Sequence, residues 1–134
     1  MTALEDLGGH TSSATALNNE GIIIGWAYPP TDRYQQHGVI WEKGRARDLG
    51  GNSTVYAVND ANVVVGNIAN NVGGSRVSRA VAWRGSTTTD LNTLLPAGSG
   101  WVLQYATGIN NRGQICGVGT LNGQPRYFLM TPAE

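Results

Sequence analysis

Three cationic or titratable side chains, His37, Arg79 and Arg126, stand at matching places in this chain. Each just precedes an apolar run: Gly38-Val39-Ile40-Trp41, Ala80-Val81-Ala82-Trp83 and Tyr127-Phe128-Leu129-Met130. If a rotation relates the runs, the three side chains ring one rim, where an Arg fork could hold a carboxylate or phosphate. The plainer expectation is that each pairs with a nearby carboxylate or stays solvated. Asp6, Asp48 and Asp90 recur in the same way, 42 residues apart each time. With Asn amides and backbone carbonyls nearby they would suit Ca²⁺, which takes roughly six to eight oxygens. No loop has a calcium spacing, so capping of turns is the simpler role. Trp101 and Tyr105 follow Gly98-Ser99-Gly100, and Tyr34 lies in the stretch Tyr28–Gln36, whose counterpart in the second unit, Asn70–Ser75, reads as a flexible loop without aromatics. Aromatics on loops can stack on a sugar ring or another flat ligand. The plainer role for Trp101 is to plug one end of the core.

Catalytic signatures are thin. Two histidines, His10 and His37, are present, and no Ser stands in a Gly-x-Ser-x-Gly context. Cys116 lies in an apolar run and reads as a small buried hydrophobe. There is no phosphate-cradling loop and no zinc spacing. Asn52-Ser53-Thr54 is a formal glycosylation sequon that chance explains.

The 134 residues include nine basic and nine acidic side chains, for a formal charge of zero. Eight of the nine basic residues are Arg, scattered along the chain, which disfavours sequence-independent nucleic-acid binding. No apolar run approaches the ~18–20 residues of a membrane span. The start, Met1-Thr2-Ala3-Leu4-Glu5-Asp6-Leu7, carries no signal-peptide pattern. A single cysteine excludes an intrachain disulfide and a Cys-based zinc site.

The elements that hold these residues repeat. Leu17-Asn18-Asn19-Glu20-Gly21-Ile22-Ile23-Ile24-Gly25 matches Val58-Asn59-Asp60-Ala61-Asn62-Val63-Val64-Val65-Gly66, and both match Ile109-Asn110-Asn111-Arg112-Gly113-Gln114-Ile115-Cys116-Gly117. With Trp41 to Trp83 also 42 residues apart, three markers agree on one period. Asn at the first position of a type I turn bonds its own backbone, and the fourth position takes a positive φ. Gly21, Asn62 and Gly113 fill that fourth position, as in a bulged three-residue hairpin. Each period therefore reads as four short strands: a around Ala14–Leu17, b over Ile22–Gly25, c over Gly38–Trp41 and d over Arg45–Leu49. The sequence predicts an all-β chain, one repeat domain over 1–134. Its three four-stranded antiparallel units of about 42 residues fall near 8–49, 50–91 and 92–134. An N-terminal strand 2–7 would close the last unit. Three blades are too few for a propeller, which usually has about 4–8. Either two copies form a six-bladed homodimeric propeller, or one chain closes as a threefold β-trefoil or β-prism.

The pattern resembles the bacterial HAF-type extracellular repeat proteins, whose units read "DLG-GG-SS-A-AINN-GQVVG" and then "HAFLW-NG". Here it appears as Asp6-Leu7-Gly8-Gly9 with Ser12-Ser13-Ala14 and Asn18-Asn19, and as Asp48-Leu49-Gly50-Gly51 with Ala57-Val58-Asn59-Asp60. The third unit departs, running Asp90-Leu91-Asn92-Thr93-Leu94-Leu95-Pro96 before Asn110-Asn111-Arg112-Gly113. The resemblance implies a propeller-like β-fold and an exported, extracellular location, and no established activity. Longer members have more units, so the chain looks like a C-terminal piece or a reduced version.

Function is then sought where the repeats deviate. Asp90 to Asn110 spans 20 residues, against 12 for Asp6 to Asn18 and 11 for Asp48 to Asn59. The leading expectation is a non-catalytic binding or scaffold module for carbohydrate or another small polar ligand. Contact would come from Trp101, Tyr105, Tyr34, His37, Arg79 and Arg126. The alternative is a hydrolase of a small ester, lactone or glycoside, calcium-assisted, with an Asp-His pair in a central channel.

Overall fold

The computed structural model describes residues 1, 3–9, 11–30 and 36–132. Among them, eleven strands form three antiparallel sheets of four, four and three strands. The first sheet runs in chain order through β1 (Ser12–Leu17), β2 (Ile23–Ala27), β3 (His37–Glu42) and β4 (Arg45–Gly51). The second holds β5 (Ser53–Val58), β6 (Val63–Val72), β7 (Ser75–Arg84) and β8 (Thr87–Asp90). A single 3₁₀ turn, Leu91–Leu94, leads to the third sheet of β9 (Trp101–Ile109), β10 (Ile115–Leu121) and β11 (Gln124–Met130).

The Asn hairpins fold as the residue types require. Asn18 Oδ1 accepts from the N–H groups of Glu20 and Ile22, both at 2.9 Å. Asn59 and Asn110 repeat that pattern toward Ala61 and Val63, and toward Arg112 and Gln114. The fourth turn position has φ +85° at Gly21, +64° at Asn62 and +80° at Gly113, the left-handed region that Gly and Asn enter most readily.

The Gly that closes each apolar run has a different cause. The first strand of each sheet carries a β-bulge, at Thr15, Tyr56 and Thr107. The bulge pushes a carbonyl across the ladder, so that a Cβ on Gly25, Gly66 or Gly117 would sit 1.9, 1.8 or 1.9 Å from the oxygen of Ser13, Thr54 or Tyr105.

The sheets stack in series. β5 packs on β1, β2 and β3, and β9 packs on β5, β6 and β7. The seam between the first two sheets buries Ile22, Ile24 and Ile40 against Val55, Val64, Val81 and Trp83. The next seam buries Val65, Ala80 and Leu91 against Leu103, Ala106, Ile115 and Phe128. Each large side chain fully removed from water there contributes roughly 1.5–3 kcal/mol. The first and third sheets make no comparable contact, so the stack is open at both ends and the chain does not close as a threefold trefoil or prism.

Three expectations change. Residues 3–7 form no strand among the described residues. Leu4 and Leu7 instead lie on the outer face of the first sheet, against Ala27, Val39 and Trp41. The segment Asn70–Ser75, read as a flexible loop, is the end of a long hairpin, because Gly73 and Gly74 (φ +58° and +83°) make the tight turn that lets both strands run on. Cys116, read as buried, is exposed, because no sheet covers the outer face of the third sheet.

Candidate functional site

The c–d pairing places a cation beside an Asp in each four-stranded sheet. Val39 faces Asp48 across the ladder and Val81 faces Asp90, so the residue two positions earlier, His37 or Arg79, reaches the carboxylate. His37 Nδ1 lies 2.8 Å from Asp48 Oδ1 and 3.0 Å from Oδ2. Arg79 Nη1 lies 3.6 Å from Asp90 Oδ2. Arg126, in the sheet without a fourth strand, donates to the carbonyl of Pro125 at 2.8 Å. The three side chains sit one in each sheet, and two of them are engaged by an Asp within their own sheet.

The aspartates cap turns. Asp6 Oδ1 accepts from Gly8 N–H, Asp48 Oδ1 from Gly50 N–H and Asp90 Oδ1 from Asn92 N–H, at 2.8, 2.8 and 2.9 Å. They belong to separate segments, and among the described residues no three His, Cys, Asp or Glu side chains gather as metal ligands.

The His37–Asp48 pair has the form of an acid–base dyad, and Ser53 bonds the backbone of Gly38 and Gly50, the residues next to His37 and two beyond Asp48. Ser53 is buried, accepts from Gly38 N–H at 2.9 Å and donates to the Gly50 carbonyl at 2.5 Å. Its proton is committed to the backbone, so it is not poised as a nucleophile.

Of the aromatics, Tyr34 lies outside the described residues. Trp101 opens β9 and belongs to the second seam, where with Leu95, Leu103, Phe128 and Met130 it lines a small cavity of about 130 Å³. It is a partly buried strand residue packed against that core, because the extra residues before it coil into the 3₁₀ turn and a short bend and β9 begins at the Trp.

Tyr105, also in β9, is half-buried and neighbours Tyr56, the bulge residue of β5. Tyr56 is 42% exposed. Partial burial, and then the nearby Tyr105, raise its hydroxyl pKa above the usual 10.0, so the Tyr56 phenol stays a protonated donor at neutral pH. These two side chains lie where first strands meet, since β1 contacts β5 and β5 contacts β9. Sequence reasoning named Tyr105 and missed Tyr56. The available signal was that Tyr56, Thr15 and Thr107 hold one repeat position, three residues before the first Asn, where only one unit carries an aromatic.

A second concavity missed from sequence is a cleft of about 270 Å³ between the first two sheets. Ile22, Ile40 and Trp83 form its apolar wall, and Glu42, Arg47 and Arg84 its charged rim. Arg47 is held there by donating to the Gly85 carbonyl.

The chain matches no family model, no curated protein and no solved structure.

Proposed function

We propose that the chain is a non-catalytic binding module of the HAF-type repeat kind, exported from the cell, in which two copies join head to tail as a six-bladed propeller. Its ligand is a carbohydrate or another small polar molecule. The observation that carries the binding reading is the Tyr56–Tyr105 pair. Two phenols on strands that pack on one another, β5 and β9, offer flat apolar faces and two hydrogen-bonding hydroxyls, the combination that recognises a sugar ring. The serial stack of like sheets, open at both ends, supports the propeller reading. The test is calorimetric titration with a panel of oligosaccharides. Saturable binding is expected, weakened about tenfold by Tyr56→Ala and by Tyr105→Ala, equivalent to roughly 1.4 kcal/mol each. Binding that both variants leave unchanged would remove these residues from the site.

One observation favours a second reading, a hydrolase of a small ester, lactone or glycoside: the His37–Asp48 contact at 2.8 Å. Under that reading turnover appears on such substrates and is lost in His37→Ala, and EDTA abolishes it if Ca²⁺ assists. Saturable binding without product, unchanged by EDTA, decides for the binding module.

A further inference from the structure

We infer that residues 3–8 of a second copy form the missing fourth strand beside β11, with Asp6 of that copy taking Arg126. This rests on the head-to-tail reading and identifies the surfaces and the contact that would make it. The argument comes from comparing the two internal seams with the two open ends.

At both internal seams, one residue position after another is buried by the following sheet. Ile24 and Val65, at the same repeat position, are fully buried, whereas their counterpart Cys116 is exposed. Ile40 is 8% exposed and Ala80 0%, whereas Leu129 and Tyr127, on the matching face of the third sheet, are 66% and 88% exposed. At the other end of the stack, Val58 and Ile109 pack into seams, while their counterpart Leu17 is 70% exposed. The chain thus carries both halves of one more seam.

The N-terminal segment already stands where that seam requires it. Leu49, at the end of the first sheet's fourth strand, packs into the seam with the second sheet, and Leu91 packs into the seam with the third. Leu7, at the same repeat position, packs onto the first sheet from outside, with Ala27, Val39 and Trp41. Glu5 N–H donates to Gly44 O at 2.9 Å, and the Trp41 indole donates to Glu5 O at 2.6 Å. Arg47, the counterpart of Glu5, reaches the matching turn of the second sheet at Gly85. Residues 3–8 therefore sit against the first sheet as the fourth strand of a preceding sheet would. Their own third sheet is not adjacent, so the sheet that they complete belongs to another copy.

Charge and register agree. His37 and Arg79 each have an Asp on the neighbouring fourth strand, whereas among the described residues Arg126 has no carboxylate partner. The pairings Val39 with Asp48 and Val81 with Asp90 set a register that puts Asp6 of the second copy opposite Phe128 and within reach of Arg126. The Asn stack points the same way. Asn18 Nδ2 donates to Asn59 O and Asn59 Nδ2 to Asn110 O, at 2.7 and 3.0 Å, but Asn110 Nδ2 turns back to Gln114 Oε1. In the assembled ring its acceptor is the Asn18 carbonyl of the second copy.

The test uses light scattering coupled to size exclusion over a dilution series, with circular dichroism melts to confirm folding. The wild-type chain is expected to be a dimer. Arg126→Asp and Asp6→Arg each place like charges at both seams and weaken the dimer by about tenfold or more. Mixing the two variants puts an Asp opposite an Arg at each seam, and the mixture recovers dimerisation as a heterodimer. Leu129→Asp, on an exposed side chain that leaves the monomer's core intact, abolishes the dimer. A dimer that the two charge variants leave unchanged, or a mixture of them that stays monomeric, overturns the pairing of residues 3–8 with β11 while leaving the six-bladed reading standing; a dimer that survives Leu129→Asp overturns both. A wild-type monomer overturns both.

Discussion

At Gly66 the nearest atom to a hypothetical Cβ is a backbone oxygen, that of Thr54 at 1.8 Å, which no rotamer change can move. At Gly21 a Cβ would meet nothing within 4 Å, and only the positive φ of +85° resists substitution. Gly66→Ala should therefore cost about 3 kcal/mol or more by forcing the bulged strand away, and Gly21→Ala about 1–2 kcal/mol. Urea denaturation of the two variants checks this, and equal losses would contradict the bulge as the cause. The repeat made these glycines conspicuous in the sequence, but their reason lies on the neighbouring strand, at Thr15, Tyr56 and Thr107. A one-dimensional pattern shows that Gly closes the run. It does not show that a carbonyl from the first strand occupies the space a side chain would need. Tyr56 is inconspicuous in the sequence for the same reason: along the chain it is one more strand residue, and only the bulge and the closeness of Tyr105 distinguish it.

Among elements, the three Asn turns form a stack that ties the sheets together. Asp60 is its middle member: its carboxylate accepts from Asn19 N–H and Asn19 Nδ2, both at 2.8 Å, and from Asn111 Nδ2 at 3.0 Å. The backbone N–H of Asn19, then its side-chain amide, lower the Asp60 pKa below the ordinary 3.8, with Asn111 adding to the shift. A carboxyl whose folded pKa is depressed contributes stability that is present above 3.8 and lost as pH falls through the folded value. Wild type should therefore be more stable than Asp60→Asn at neutral pH. The difference should close as the pH drops below 3.8, measured by urea midpoints along a pH series. A difference constant with pH would assign Asp60 a packing role instead. The sequence identified each Asn pair as a hairpin turn, since Asn18, Asn59 and Asn110 cap their own backbone within four residues. That the turns also bond to one another depends on how the sheets stack, over separations of 41 and 51 residues. The insertion before Trp101 is irregular over residues 95–100, as its composition indicates, but the register of β9 against β10 takes Trp101 itself into the strand.

For the molecule as a whole, a 42-residue period was enough to place four strands per unit, but not to say what lies at the ends of the stack. Periodicity treats every unit alike, whereas burial separates Ile24 and Val65 from Cys116 by whether another sheet follows. That asymmetry makes the thiol a reporter. In an isolated copy Cys116 lies on the uncovered face with Leu129 and Tyr127, open to an alkylating reagent. In a head-to-tail ring the second copy's first sheet covers it as the second sheet covers Ile24, and the reagent must wait for dissociation. Alkylation followed by mass spectrometry should therefore be fast in dilute solution and slow with rising protein concentration. Arg126→Asp should remain fast at concentrations that protect the wild type. A rate independent of concentration in a sample shown to be dimeric would mean that the copies meet through some other surface, leaving the third sheet bare. Protection that follows the dimer fraction would tie Cys116 to the face that the second copy covers, a position that its place in an apolar strand hinted at and a single chain does not provide.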